Sequence, residues 1–238
     1  MKLILFDVDG TLLDAGGSGR WAMTRAFEEV FEIPDGDPFS RHVRFDGMTD
    51  PEILGQIASN AGIAEATLRL RSTELRAAFL RHLDRRLAAT TDKRALPGVV
   101  ELLDRLAGVS QAAVGLLTGN IEEGARMKLA CVGLGGYFDV GGFGGDAPDR
   151  AGVGQVARQR FESRLKRLIP PADVVVVGDS TEDVKAARRN GYRALAVGTG
   201  WTPKDAILDQ APDLFMEDLS DYGRAMQFIF GTRAGREG

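Results

Sequence analysis

Residues 1–14, MKLILFDVDGTLLD, carry the strongest structural signal in the chain. A short apolar run ends in two aspartates, Asp7 and Asp9, which are followed at once by Gly10 and Thr11. Like charges that are removed from water repel each other, and a buried charge needs a partner of opposite sign. This stretch therefore predicts a buried strand that delivers a pair of carboxylates to a site that contains a cation.

Other short apolar runs farther along the chain also end in small or polar residues. These runs are AVGLL before TGN, YFDVGGF before GGD, DVVVV before GDS, and RALAV before GTG. Continuous apolar runs of this length are typical of parallel strands covered on both faces, and helical patterns separate them. The alternation predicts an α/β fold with a doubly wound, Rossmann-like parallel sheet, in which ligands bind at the carboxyl edge of the strands.

One interval breaks this alternation. Residues 16–95 contain amphipathic helical stretches, at 20–31, 50–62 and 66–88, and no convincing strand. The interval follows the glycine-rich segment AGGSG, which can act as a flexible connection. We therefore predict a helical cap domain at residues 16–95, inserted into an α/β core formed by residues 1–15 and 96–238.

Composition excludes several classes of partner. The chain of 238 residues has a net charge of −4 and a sequence pI near 5.4, which gives no electrostatic reason to expect nucleic acid or a membrane surface. Cys131 is the only cysteine and cannot form an internal disulfide. No apolar stretch approaches transmembrane length. We predict a cytoplasmic protein that binds a small molecule and is a monomer or a homodimer.

Four aspartates fall at the predicted carboxyl edge of the sheet. Asp7 and Asp9 follow the first strand, and Asp179 and Asp183 follow the DVVVV strand. These carboxylates would repel one another unless a cation lies among them. Hard oxygen ligands without a nearby His or Cys favour Mg²⁺, so the pattern predicts a magnesium site.

The AVGLL strand ends in Thr118, Gly119 and Asn120. This sequence offers a hydroxyl, a backbone N–H that can be approached closely, and an amide. Together these groups suit the oxygens of a phosphoryl group, so we expect them to bind phosphate beside the acidic residues.

The motifs DVDGT, a threonine at the end of the second core strand, and GDSTED occur in this order over nearly the whole chain. In this arrangement the sequence resembles the haloacid dehalogenase (HAD) superfamily, in particular its phosphatases with a helical cap after the first motif. FDVDGTLLD together with GMTDPEIL is similar to phosphoglycolate phosphatase-like members. The resemblance implies a Mg²⁺-dependent hydrolase of a small phosphorylated substrate, with 2-phosphoglycolate as one candidate.

The resemblance also implies a role for each motif residue. Asp7 matches the nucleophile that forms an aspartyl-phosphate, and Asp9 matches the general acid/base, whose backbone carbonyl is expected to bind the metal. Thr118 matches the phosphate-binding hydroxyl, assisted by the two residues that follow it. Asp179 matches a metal ligand, and Asp183 matches a ligand or a residue that orients the metal's waters.

The third motif departs from the pattern of the superfamily. Many relatives carry a lysine followed by proline where this chain reads GDAPDRAGV, and the basic residue there is Arg150. Its separation from Asp179 is the one expected for the motif. An arginine can grip two phosphate oxygens, so we assign Arg150 to catalysis and phosphate binding. Lys128 is the alternative, although its helical pattern favours a surface position.

Several other interpretations remain open. A sugar phosphomutase shares the aspartyl-phosphate step, and a receiver-like phospho-acceptor module shares the magnesium and the phosphorylated aspartate. Asp183 could serve only as an acidic residue in the first turn of a helix. Arg20, Arg41 and Arg44 lie near the expected cap entrance, where a cation could hold a substrate carboxylate.

Overall fold

The structure is a computed structural model that describes residues 1–33, 40, 43 and 45–231. Its main sheet has six parallel strands in the order β5-β4-β1-β6-β7-β8, and β2 pairs antiparallel with β3 in a separate ribbon. The strands are β1 Lys2–Phe6, β2 Leu13–Asp14, β3 Arg94–Ala95, β4 Ala112–Leu117, β5 Gly141–Gly142, β6 Val174–Gly178, β7 Arg193–Val197 and β8 Leu214–Met216.

Helices lie between most of these strands. They are α1 Ser18–Phe31, α2 Asp50–Asn60, α3 Glu65–Leu70, α4 Ser72–Ala89, α5 Val99–Ala107, α6 Glu122–Cys131, α7 Arg150–Leu165, α8 Thr181–Arg189, α9 Lys204–Leu208 and α10 Tyr222–Phe230. Short 3₁₀ turns occur at Gly135–Tyr137 and Pro171–Asp173. Among the described residues, no helix combines the length and apolar character that a membrane crossing requires.

Strand β1 shows why the sheet is covered on both faces. Side chains alternate along a strand, and from Leu3 to Phe6 both sets are apolar and fully buried. Ile4 and Phe6 pack into one hydrophobic cluster, and Leu3 and Leu5 pack into a second cluster on the opposite face. The predicted doubly wound parallel sheet is confirmed.

Two strands differ from the sequence expectation. Within the run YFDVGGF only Gly141–Gly142 forms a strand, and the first residue of the run, Tyr137, belongs to the 3₁₀ turn at Gly135–Tyr137. Strand β8, Leu214–Met216, extends the sheet beyond β7, although its three residues were too few to stand out as an apolar run.

The region between β2 and β3 contains α1 to α4, and α1 packs along α4. The stretch 66–88 divides at Arg71 into two helices. The first of them, α3, buries no residue, whereas α4 buries an apolar face. The antiparallel pairing of Leu13 with Ala95 brings the two ends of this region together. The division into a cap at 16–95 and a core at 1–15 and 96–238 stays a prediction.

Candidate active site

The register of the sheet brings three strand ends to one level. Phe6 pairs with Leu116 of β4 and with Val177 of β6, so the residues just after these strands become neighbours. The backbone N–H of Asp7 donates to the carbonyl oxygen of Val177 at 2.9 Å. The parallel strands therefore deliver Asp7, the Thr118 loop and Asp179 to the same edge of the sheet.

Three carboxylates meet at this edge. One oxygen from each of Asp7, Asp179 and Asp183 lies within 4.8 Å of the others, and all three side chains are buried. We call these residues the acidic cluster. Gly10 has a φ of +79°, and a Cβ there would lie 2.5 Å from Oδ2 of Asp179, so glycine allows the first loop to pass close to this carboxylate.

Burial and like charge shift the titration of the acidic cluster. Burial, partly offset by the charge of Arg150, raises the pKa of Asp7 to about 6. Burial and the nearby charges of Asp7 and Asp183 raise the pKa of Asp179 well above its usual range. Both shifts have the same physical cause, because more negative charge is buried here than the surrounding protein neutralises.

Arg150, at the start of α7, places a guanidinium against the acidic cluster. Its Nη2 forms an ion pair with Asp7 Oδ2 at 2.8 Å and donates to Asp183 Oδ1 at 2.7 Å, and its Nε donates to the same Asp183 oxygen at 3.0 Å. Although burial acts in the opposite direction, the charges of Asp183 and Asp7 raise the pKa of Arg150. Arg150 thus stays charged and links the first loop to α8.

Asp183 has a structural role as well as its place in the cluster. Its Oδ2 accepts hydrogen bonds from the backbone N–H of Ser180, at 3.1 Å, and from the Ser180 hydroxyl, at 2.6 Å. This is a capping box at the start of α8. Asp183 caps the helix that follows β6, and this position places its carboxylate in the acidic cluster.

Asp9 belongs to a different set of contacts, which we call the lysine network: Asp9, Asn120 and Lys128. Asp9 Oδ2 accepts hydrogen bonds from Asn120 Nδ2 at 2.8 Å and from Lys128 Nζ at 2.6 Å. Asn120 Nδ2 also donates to the Thr118 hydroxyl oxygen at 2.8 Å. The side chain of Asp9 is 29% exposed, and that of Thr118 is fully buried.

The expected surface position of Lys128 is wrong. Lys128 is 4% exposed, and its Nζ also donates to Asn120 Oδ1 at 2.6 Å. On α6 it shares the buried face with Gly124 and Ala125, two small residues that allow close packing. A lysine that follows small residues by one helical turn is a sequence signal for a buried lysine, and hydrophobic periodicity alone does not detect it. Arg150 and Lys128 both lie at the site. Arg150 pairs with Asp7 and Asp183, and Lys128 pairs with Asp9.

Sequence reasoning also missed Asp50, at the start of α2. Its Oδ2 accepts a hydrogen bond from the backbone N–H of Ile121 at 2.8 Å, and its own N–H donates to the Gly119 carbonyl at 2.7 Å. Burial, partly offset by the charge of Lys128, raises the pKa of Asp50 to about 6. A capping box of Thr49 and Glu52 marks this helix start in the sequence, but nothing local shows which loop it contacts.

These groups surround one cavity of about 300 Å³. Its polar lining includes Asp7, Asp9, Asp50, Asp179, Gly119, Asn120, Lys128 and Arg150. Thr118 and Asp183 lie just behind this wall, in contact with Asn120 and Arg150. Arg20 also lines the cavity, where its Nη2 donates to the Ser40 carbonyl at 2.9 Å. Arg41 and Arg44 lie outside the described residues.

Comparison with known proteins agrees with this geometry. The sequence model of the haloacid dehalogenase-like hydrolase family matches residues 1–191. A phosphoglycolate phosphatase of Synechococcus elongatus is 30% identical over 95% of this chain and 97% of its own length. Phosphoglycolate phosphatase 1 of Pseudomonas aeruginosa is 29% identical over 92% of this chain and 78% of its own length.

The fold also resembles that of a solved structure. The crystal structure of a hydrolase from Pseudomonas syringae superposes with a TM-score of 0.69, at 20% identity, over 96% of this chain and 99% of its own. The chain belongs to the haloacid dehalogenase-like hydrolase family. Within that family, its curated relatives mark it as a phosphatase.

Proposed function

We propose that the protein is a Mg²⁺-dependent phosphomonoester hydrolase that acts on a small organic phosphate through an aspartyl-phosphate on Asp7. The observation that supports this most strongly is that Asp7 and Asp179 of the acidic cluster line the same cavity as Asp9. The acidic cluster pairs with Arg150, whereas the Asp9 carboxylate accepts hydrogen bonds from Asn120 and Lys128. One group is suited to holding a cation, and the other is suited to transferring a proton.

The acidic cluster fits a magnesium ion by its chemistry. Three buried carboxylates offer hard oxygen ligands close together, and the one guanidinium that pairs with them among the described residues does not balance their charge. In this proposal Asp7, Asp179 and Asp183 would hold the ion, together with the backbone carbonyl of Asp9. When bound, Mg²⁺ would neutralise the charge of the carboxylates and of the substrate phosphate.

In the first step, a carboxylate oxygen of Asp7 attacks phosphorus, and the bond between phosphorus and the leaving oxygen breaks. Asp9 gives its proton to the leaving oxygen, so the product leaves as an alcohol. Arg150 holds Asp7 in place and contributes positive charge beside the phosphate. Dividing the displacement through a covalent intermediate replaces one difficult step by two easier ones.

In the second step, Asp9 removes a proton from a water molecule, whose oxygen attacks the phosphorus of the aspartyl-phosphate. The bond between Asp7 and phosphorus breaks, and inorganic phosphate leaves. The Thr118 hydroxyl, which accepts from Asn120, keeps its own proton free to donate to a phosphate oxygen. Gly119 and Asn120 line the cavity on the same side.

The relatives named phosphoglycolate phosphatase make 2-phosphoglycolate the first candidate substrate. A sugar phosphomutase would use the same first step but transfer the phosphoryl group back to a sugar phosphate instead of to water. Product analysis distinguishes the two outcomes, because only a hydrolase releases inorganic phosphate from a glucose phosphate.

The test is turnover of p-nitrophenyl phosphate, and of a panel of phosphorylated metabolites that includes 2-phosphoglycolate, with Mg²⁺ and with a chelator. We expect release of phosphate only with Mg²⁺. A folded protein that releases no phosphate from any ester in the presence of Mg²⁺ would contradict the proposal. Equal turnover with the chelator would contradict its metal dependence.

A further inference from the structure

Lys128 is a buried ammonium that the proposed chemical steps do not use. It reaches the cavity from α6, and its Nζ donates to Asp9 Oδ2 and to Asn120 Oδ1, both at 2.6 Å. A buried ammonium is costly unless its donors are paired, so these contacts fix the position of the side chain. Arg150 contacts other carboxylates, those of Asp7 and Asp183. The two cations therefore have separate tasks.

The contact with Asn120 determines how that amide is oriented. An ammonium only donates, so the Asn120 atom that faces Lys128 must be the carbonyl oxygen. The amide nitrogen then faces the other way, toward Asp9 Oδ2 and the Thr118 hydroxyl, at 2.8 Å from each. Lys128 thus orients Asp9 directly and also through Asn120.

These contacts distinguish the two oxygens of Asp9. Among the described residues, both hydrogen bonds to the Asp9 carboxylate fall on Oδ2. A carboxyl oxygen that accepts two hydrogen bonds is poorly placed to carry a proton as well. The proton of the acid form is therefore directed to Oδ1.

We infer that Lys128 is a positioning residue that fixes Asp9 with Oδ1 as the atom that exchanges protons with the leaving group and with water. This inference rests on the proposed function. It assigns Lys128 neither to the phosphate nor to the nucleophile. Its loss should therefore weaken proton transfer more than it weakens phosphate binding.

Leaving-group chemistry can measure this difference. Phenyl phosphate and p-nitrophenyl phosphate have similar shapes, but nitrophenolate leaves readily as an anion, whereas phenolate depends more on protonation. For Lys128→Met we expect kcat/KM to fall about 100-fold with phenyl phosphate and about 10-fold or less with p-nitrophenyl phosphate, within the range for general acid catalysis. A role limited to phosphate binding or folding would lower both values by the same factor.

Gly19→Ala perturbs the same ammonium without removing it. A Cβ at Gly19, in the first turn of α1, would lie 2.9 Å from Lys128 Nζ and 3.3 Å from its Cε. The flexible end of the lysine would have to move away from Asp9, while alanine suits a helix better than glycine. We expect a smaller loss, about 3-fold to 10-fold, again larger with phenyl phosphate. This variant decides the question if Lys128→Met does not fold.

The matched control is Lys204→Met, because Lys204 is an exposed lysine on α9 that pairs with Glu217. Its kcat/KM should equal that of the unmodified protein for both esters, and circular dichroism should confirm that each variant is folded. The inference is overturned if every folded variant at positions 128 and 19 keeps the unmodified ratio between the two esters. Absence of turnover in the unmodified protein would instead contradict the proposed function and remove the inference with it.

Discussion

The acidic cluster and the lysine network lie at the same cavity but differ in charge balance. Among the described residues, one guanidinium pairs with two of the three carboxylates of the acidic cluster, those of Asp7 and Asp183, whereas the ammonium of Lys128 contacts Asp9 and Asn120. The surplus of negative charge in the acidic cluster favours a divalent cation. In the lysine network, one carboxylate is paired with one ammonium through Oδ2, and its Oδ1 remains for the proton transfer of the proposed reaction. The sequence presents Asp7, Asp9, Asp179 and Asp183 as one set, but the positive charges around them distinguish Asp9 from the other three.

Asp7→Asn breaks the acidic cluster at the proposed nucleophile and should have the largest effect. The amide has nearly the same shape but cannot attack phosphorus, so we expect turnover of p-nitrophenyl phosphate to fall by at least about 1000-fold. Steady-state kinetics with Mg²⁺ measures the loss. Asp139→Asn, at an exposed aspartate paired with Arg164, is the control and should keep full activity. An Asp7→Asn variant that keeps more than a tenth of the turnover would remove Asp7 from the mechanism.

Arg150→Met removes the cation that the acidic cluster shares. Loss of one partner of a buried ion pair costs about 3–5 kcal/mol of unfolding free energy, and we expect a loss of that order at pH 7 without metal. Denaturant unfolding measures it. Arg150→Lys keeps the charge but cannot donate from two nitrogens to Asp183, so it should recover only part of the stability. Equal stability of all three proteins would show that Arg150 does not hold the cluster together.

Asp179→Asn reduces the negative charge of the acidic cluster. Because burial and its neighbours raise the pKa of Asp179, a neutral amide there should make the metal-free protein more stable by several degrees. The same change should raise the Mg²⁺ concentration needed for half-maximal activity by at least about 10-fold. Thermal unfolding and activity, each measured across a Mg²⁺ titration, test both effects. A variant that is less stable without metal would contradict the charge surplus.

Asp50→Asn tests the charge beside the lysine network and should have the smallest effect. The pKa of Asp50 is about 6 in the folded protein, above its ordinary value of 3.8. The folded protein therefore binds this proton more tightly than the unfolded chain does, so acidification from pH 7 to pH 4 favours folding.

At pH 7, Asp50→Asn should be more stable than the unmodified protein by about 1–3 kcal/mol, because the amide can still accept from Ile121 without a desolvated charge. The advantage should shrink as the pH falls through 6 and be lost near pH 4. Thermal unfolding of the two proteins across this range measures it. A difference in stability that does not change with pH would show that Asp50 titrates normally.

The sequence predicted the core sheet and the positions of its carboxylates for a physical reason. Parallel strands end at one edge, so polar residues just after apolar runs must meet there. Asp7 and Asp179 needed no information beyond those runs. Arg150 needed the resemblance as well, because its place depends on a loop between β5 and α7.

The burial of Lys128 and the contact that Asp50 of α2 makes with Ile121 could not be predicted in the same way. Lys128 lies in a helix whose pattern of small and polar residues gives no clear apolar face, so periodicity did not show that it is buried. Asp50 lies 71 residues from Ile121 in the chain. Its partner depends on how α2 packs against the loop after β4, which is a long-range property.

The most direct test of the proposed aspartyl-phosphate mechanism is a crystal structure of the protein with Mg²⁺ and trifluoroberyllate, which mimics a phosphoryl group bonded to a carboxylate. The mechanism predicts beryllium bonded to an oxygen of Asp7, with Mg²⁺ in contact with Asp7 and Asp179 in the same cavity. Beryllium on any other residue, or Mg²⁺ bound away from the acidic cluster, would contradict it.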